Sequence, residues 1–165
     1  MKRTIIYVFT PKRLQRDYQS GLRLPDFPLG WIKIGKTSSD NDDEDKWDVA
    51  YNHIKQEIPN GLNEPCVLVD VFEYPELQDN PIDVICNMVK KAIDELFGTF
   101  CDEQVEQSKY EIMDAPGYIY GVSRPQVMAA ITKFERDLLI DIKDHDKQES
   151  LIDCLRKNDE TSINS

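Results

Sequence analysis

The sequence predicts an α+β domain, and three observations carry that prediction. Residues 4–10 and 31–36 are short apolar runs with strand character, separated by a polar stretch, and read as an antiparallel pair. A third β-rich run, CVLVDVFEY at 66–74, has the near-continuous apolar character of a central strand. Between and after these runs lie stretches with apolar residues at helical spacing, which gives a small, largely antiparallel sheet flanked by helices.

The elements follow in order. Ile5-Ile6-Tyr7-Val8-Phe9 forms the heart of the first strand. Residues 11–30 carry Pro11, Gly21, Pro25, Pro28 and Gly30, a punctuation that predicts an irregular excursion. The second strand is Trp31 to Lys36. The acidic run 38–45 does not fit a calcium loop: read from Asp40, the sixth position is Asp45 instead of glycine and the twelfth is Tyr51 instead of glutamate. It reads instead as an acid-rich helix start, which the helix dipole favours. The helix it opens spans 43–57, with Trp47, Ala50, Tyr51 and Ile54 as its apolar face.

In the third strand, alternation sets Val67, Val69 and Val71 against Leu68, Phe72 and Tyr74. A helix over 82–97 follows, then a short run at Tyr110–Met113 and another possible strand at 118–122. Ser123-Arg124-Pro125 starts a helix that reaches about Lys143. Asp144–Lys147 interrupts it, a shorter helix covers 148–157, and residues 158–165 read as disordered. The expected organisation is one domain over 1–122, a C-terminal helical extension over 123–157 and a tail.

Composition bounds the function. No apolar run approaches the ~20 residues of a membrane span, and the short N-terminal apolar run, broken at Thr10-Pro11, predicts no signal peptide. Four cysteines without a CxxC pair (Cys66, Cys86, Cys101, Cys154) predict reduced thiols and a cytoplasmic protein. The net charge of −11 is unevenly spread. Residues 1–36 hold eight Lys/Arg against two Asp/Glu, a balance of +6, whereas residues 37–123 hold five against twenty, a balance of −15. So acidic a chain does not coat nucleic acid nonspecifically, but the basic N-terminal third, with Arg13 and Arg16, is suited to a phosphate backbone. The C-terminal helices offer either a homodimer surface or packing back on the domain.

The two runs Ile5-Ile6-Tyr7 and Lys33-Ile34-Gly35, the latter followed by Lys36-Thr37, resemble the split signature of GIY-YIG nuclease domains, in particular the branch of variant nucleases found as phage reading frames. The β-β-α-β-α order agrees, and the resemblance covers roughly residues 3–115. It implies a GIY-YIG-like fold and a DNA endonuclease that hydrolyses phosphodiesters with a single divalent metal, Mg²⁺ or Mn²⁺. It also implies Glu111 as the metal carboxylate, Tyr7, Lys33 and His53 as further catalytic residues, and Gly35, Lys36, Thr37, Arg13 and Arg16 as substrate contacts. The chemistry requires an activated water and stabilised phosphoryl oxygens. A phenol of pKa ~10 serves as a base only where cations lower it. The chain departs from the pattern on the helix after the second strand, which carries Lys46, His53 and Lys55 where the family has an arginine. Lysine does not replace a bidentate guanidinium. The alternative reading is a degenerate GIY-YIG-like module that binds nucleic acid or protein without cleavage.

Overall fold

Residues 2–21, 31–57, 65–77, 80–97, 118–120 and 122–164 are described by the structure, a computed structural model. They form β1 (Arg3–Pro11), a 3-10 turn (Lys12–Leu14), α1 (Gln15–Ser20), β2 (Trp31–Ser39), α2 (Lys46–Glu57) and β3 (Cys66–Pro75). Then come α3 (Pro81–Phe97), β4 (Tyr118–Tyr120), α4 (Arg124–Asp141) and α5 (His145–Asn164). The strands make one antiparallel sheet in the order β3-β1-β2-β4. This is the α+β architecture that the alternating runs predict, with no helix among the described residues long and apolar enough to cross a membrane.

β1 is central because its apolar residues serve two cores at once. Ile6 and Val8 face a large cluster with Ile32, Ile34, Phe72, Tyr74, Ile85, Val89, Val127, Ile131 and Phe134. Ile5, Tyr7 and Phe9 face a smaller one with Leu14, Val49, Ala50, Ile54 and Val71, under α2. Each such side chain contributes roughly 1.5–3 kcal/mol on burial. The large cluster draws on α4 (Val127, Ala130, Ile131, Phe134) and on Leu151 of α5, so both C-terminal helices pack back on the sheet.

Several expectations are corrected. The irregular excursion over 11–30 contains α1, pinned by buried Tyr18 and ended by Gly21 at φ +92°, a backbone that favours glycine; residues 22–30 lie outside the described residues. β2 runs to Ser39, paired with Arg3. The expected β3 alternation fails at a bulge opposite Val8 and Phe9, where the register shifts. An extra residue there puts Val67 and Val69 on the same side as Phe72 and Tyr74, while Leu68 joins Val71 on the other. α2 begins at Lys46 instead of Asp43 because Asp45 is its cap: the Asp45 carboxylate accepts from the Trp47 and Asp48 amides at 3.1 and 3.4 Å. Tyr51, expected on the buried face, is 52% exposed, and Val49 is buried in its place.

At the C-terminus the break falls at residues 142–144, where Asp144 Oδ1 accepts from the Asp146 and Lys147 amides and starts α5. α5 then continues through Asn164, well past the expected end at 157. Asn158, expected in a disordered tail, is buried. Its Oδ1 accepts from the Glu73 amide at 2.8 Å and from Lys46 Nζ at 3.1 Å, and its Nδ2 donates to the Glu73 carbonyl at 3.1 Å. Beside it, Arg3 donates to the Glu73 carboxylate at 2.9 Å and to the carbonyls of Asn41 and Glu44, which fastens the acidic loop to β1. Burial lowers the Lys46 pKa, opposed by the neighbouring carboxylate of Glu73. Burial likewise pushes the Cys154 thiol up to about 11, which keeps it protonated at neutral pH.

On the opposite face, Asp70 of β3 accepts from Tyr18 Oη at 2.9 Å and from Arg124 Nε at 3.1 Å, which ties α1 and α4 to the sheet. Asp70→Ala would leave the buried Tyr18 hydroxyl without its acceptor and is expected to cost about 2 kcal/mol in urea unfolding at pH 7. Burial raises the Asp70 pKa above the usual carboxylate range despite Arg124. The folded protein therefore takes up this proton before the unfolded chain does. That contribution is fully present below the unfolded pKa of ~3.9 and is lost as pH rises through the folded value. The gap between wild type and Asp70→Ala should accordingly widen from pH 7 to pH 5; a gap that narrows would contradict this assignment.

Candidate functional site

Strand register brings the two signature runs together. Tyr7 pairs with Gly35, Phe9 with Lys33 and Ile5 with Thr37. Residues paired across an antiparallel ladder point to the same face, so Tyr7, Lys33, Gly35 and Thr37 all lie on the face that α2 covers. The Tyr7 ring lies directly over Gly35. A Cβ at position 35 would collide with Tyr7 Cζ, Oη and Cε2, so only glycine admits the ring in this position.

α2 adds the next residue. His53, half-buried, sits with its ring 5.6 Å from the Tyr7 ring at an interplanar angle of 51°. Tyr7 also stacks along its own strand on Phe9, at 6.1 Å and 11°. Lys33 Nζ stands 5.9 Å from the centre of the Phe9 ring, the distance of a cation–π contact. Four of the expected residues, Tyr7, Lys33, Gly35 and His53, thus form one contiguous group, with Thr37 two positions along the strand.

The remaining expectations divide. Lys36 pairs with Ile6 and belongs to the opposite face of the sheet, so it does not share the Tyr7 group; strand alternation separates it from Gly35 next to it. Arg13 and Arg16 are exposed and lie just beyond the end of β1, in the 3-10 turn and in α1. Glu111, expected to hold the metal, lies outside the described residues, as does the run 110–113. Among the described residues no group of three or more His, Cys, Asp or Glu is arranged to hold a metal ion. Tyr7 itself is 0% exposed.

The cations of α2 have different fates. Lys46 is buried on Asn158 at the start of the helix. Lys55 is exposed near its end, with Nζ 4.4 Å from the Tyr51 ring centre. Charge is therefore sorted along the strand direction. The acidic run 40–45 and Glu73 gather at the Arg3–Ser39 end, while Lys12, Arg13, Arg16 and Lys33 gather at the Phe9–Pro11 end.

Sequence reasoning missed Asn158, the Tyr18–Asp70–Arg124 group and the exposure of Tyr51. Only the last left a usable signal: Lys46 and His53 lie on the helical arc of Ala50 and Ile54, a face that periodicity in apolar residues alone misplaces. No protein family, curated protein or solved structure matches this chain.

Proposed function

We propose that this chain is a GIY-YIG-type module that binds nucleic acid without cleaving it. The observation that supports this most is the pairing of Tyr7 with Gly35 under His53, the two halves of the split signature set against each other across β1 and β2. The complete burial of Tyr7 makes its phenol a packing group in this state, removed from any phosphodiester in solvent. Lys46, one of the two lysines on α2, is engaged with Asn158 and gives no charge to a phosphate. The cationic end of the sheet supports binding, since exposed Lys12, Arg13 and Arg16, with half-buried Lys33 beside Phe9, concentrate positive charge there and would release counterions on contact with a phosphate backbone.

The second reading is a divalent-metal-dependent endonuclease. The contact of His53 with Tyr7 favours it, because it sets an imidazole beside the signature phenol. In that case Glu111 would hold Mg²⁺ or Mn²⁺, which would supply charge for the developing phosphorane and a more acidic water. Purified protein incubated with supercoiled plasmid and labelled oligonucleotides, with and without Mg²⁺ or Mn²⁺, separates the two. Binding without nicking is expected, with Tyr7→Phe binding as wild type. Nicking that disappears in both Glu111→Ala and Tyr7→Phe would overturn the binding-only reading and establish the nuclease. An absence of binding to every oligonucleotide would remove both.

A further inference from the structure

We infer that the preferred ligand is a single strand, with a base stacked on Tyr51 and the backbone led along Lys55, Lys12 and Arg13. This rests on the nucleic-acid reading above and adds to it the strand type and the surface. Tyr51 is a large aromatic side chain, 52% exposed on the outer side of α2, so part of its ring is open to solvent. Lys55 stands over one face of that ring with its Nζ 4.4 Å from the ring centre, a cation–π contact that sets a positive charge for phosphate beside the aromatic and leaves a base the other face.

Placement follows from the contacts of α2. The helix starts at Lys46, held at the level of Glu73 and its partner Ile5, and reaches Tyr7 by His53. Lys55 therefore lies further along, toward Phe9. Leu14 shares the small cluster with Phe9 and Ile54, which sets Lys12 and Arg13 beside the C-terminal half of the helix. Both are exposed, and Lys33 lies on the same side, next to Phe9. Asp48, also exposed, lies one turn before Tyr51 on α2, on the side away from Lys55.

Access to base faces decides between single strand and duplex. A duplex is stiff, carries one charge per ~1.7 Å, and keeps its base faces stacked inside. It therefore offers no base face to Tyr51. A flexible single strand follows the basic end alone and presents free base faces, and aromatic stacking supplies affinity that a few cations on a −11 chain do not.

The test uses the full chain and fluorescein-labelled 20-mers read by anisotropy at low salt. The set comprises a single strand, its duplex and an abasic single strand of the same length. The single strand should bind more tightly than either comparator. Tyr51→Ala should weaken it about tenfold. Lys12→Glu with Arg13→Glu should weaken it and flatten its salt dependence, while Lys133→Glu, on exposed α4 surface, should leave it unchanged. Single-strand binding that is indifferent to Tyr51→Ala, or equal for the abasic strand, overturns the stacking surface while leaving nucleic-acid binding intact. No binding to any of the three overturns both.

Discussion

Gly35→Ala is expected to destabilise the protein by about 3 kcal/mol or more, at the upper end of what overpacking a core costs. The added methyl would occupy the space of the Tyr7 ring at three of its atoms. That ring has nowhere to retreat, since Tyr7 is fully buried between Phe9 and His53. The backbone of β2 would have to move away from β1 at the centre of the sheet. Pairing the change with Tyr7→Leu tests the cause: the double variant should be less destabilised than the sum of the two single variants by at least about 1 kcal/mol. Strict additivity in urea denaturation would show that the ring is not what excludes a side chain at position 35.

Asn158→Leu is expected to cost about 3–5 kcal/mol, because one amide serves three buried groups. Its loss strands the Glu73 amide and carbonyl and leaves the Lys46 ammonium without its side-chain acceptor. Burial already disfavours that ammonium, so removing its acceptor makes the charge still less tolerable. Adding Lys46→Met should restore part of the loss by removing the stranded charge, whereas the backbone groups of Glu73 remain unpaired. If Asn158→Leu unfolded at the wild-type urea midpoint, the amide would not bear the role its hydrogen bonds give it.

These two residues differ in how far the sequence foretold them. Gly35 stands inside a strand opposite an aromatic, and a glycine there signals close approach of another group. The strands and main helices were legible for a similar reason: alternation and helical spacing repeat over many residues, so no single exception hides them. Asn158 left no such trace. A lone buried asparagine in a polar segment looks like any surface residue, and its partners, Lys46 and Glu73, lie far away in the chain. The faces of β3 were misread because a bulge, one extra residue, inverts every assignment before it. Of the site itself, the Tyr7, Lys33, Gly35 and His53 grouping followed from two tripeptides and one helix, but Lys36 did not share it, since adjacent strand residues point apart.

Among the described strands β3 is the outermost on its side, and the Glu73 amide and carbonyl point away from β1. The Asn158 side-chain amide donates to one and accepts from the other, as the backbone of an adjoining strand would. α5 thereby blunts an open sheet edge that would otherwise recruit extended chain from other molecules. A shortened form ending before His145 would bare that edge together with the part of the core that Leu151 fills, and its failing would include insolubility through edge-to-edge pairing.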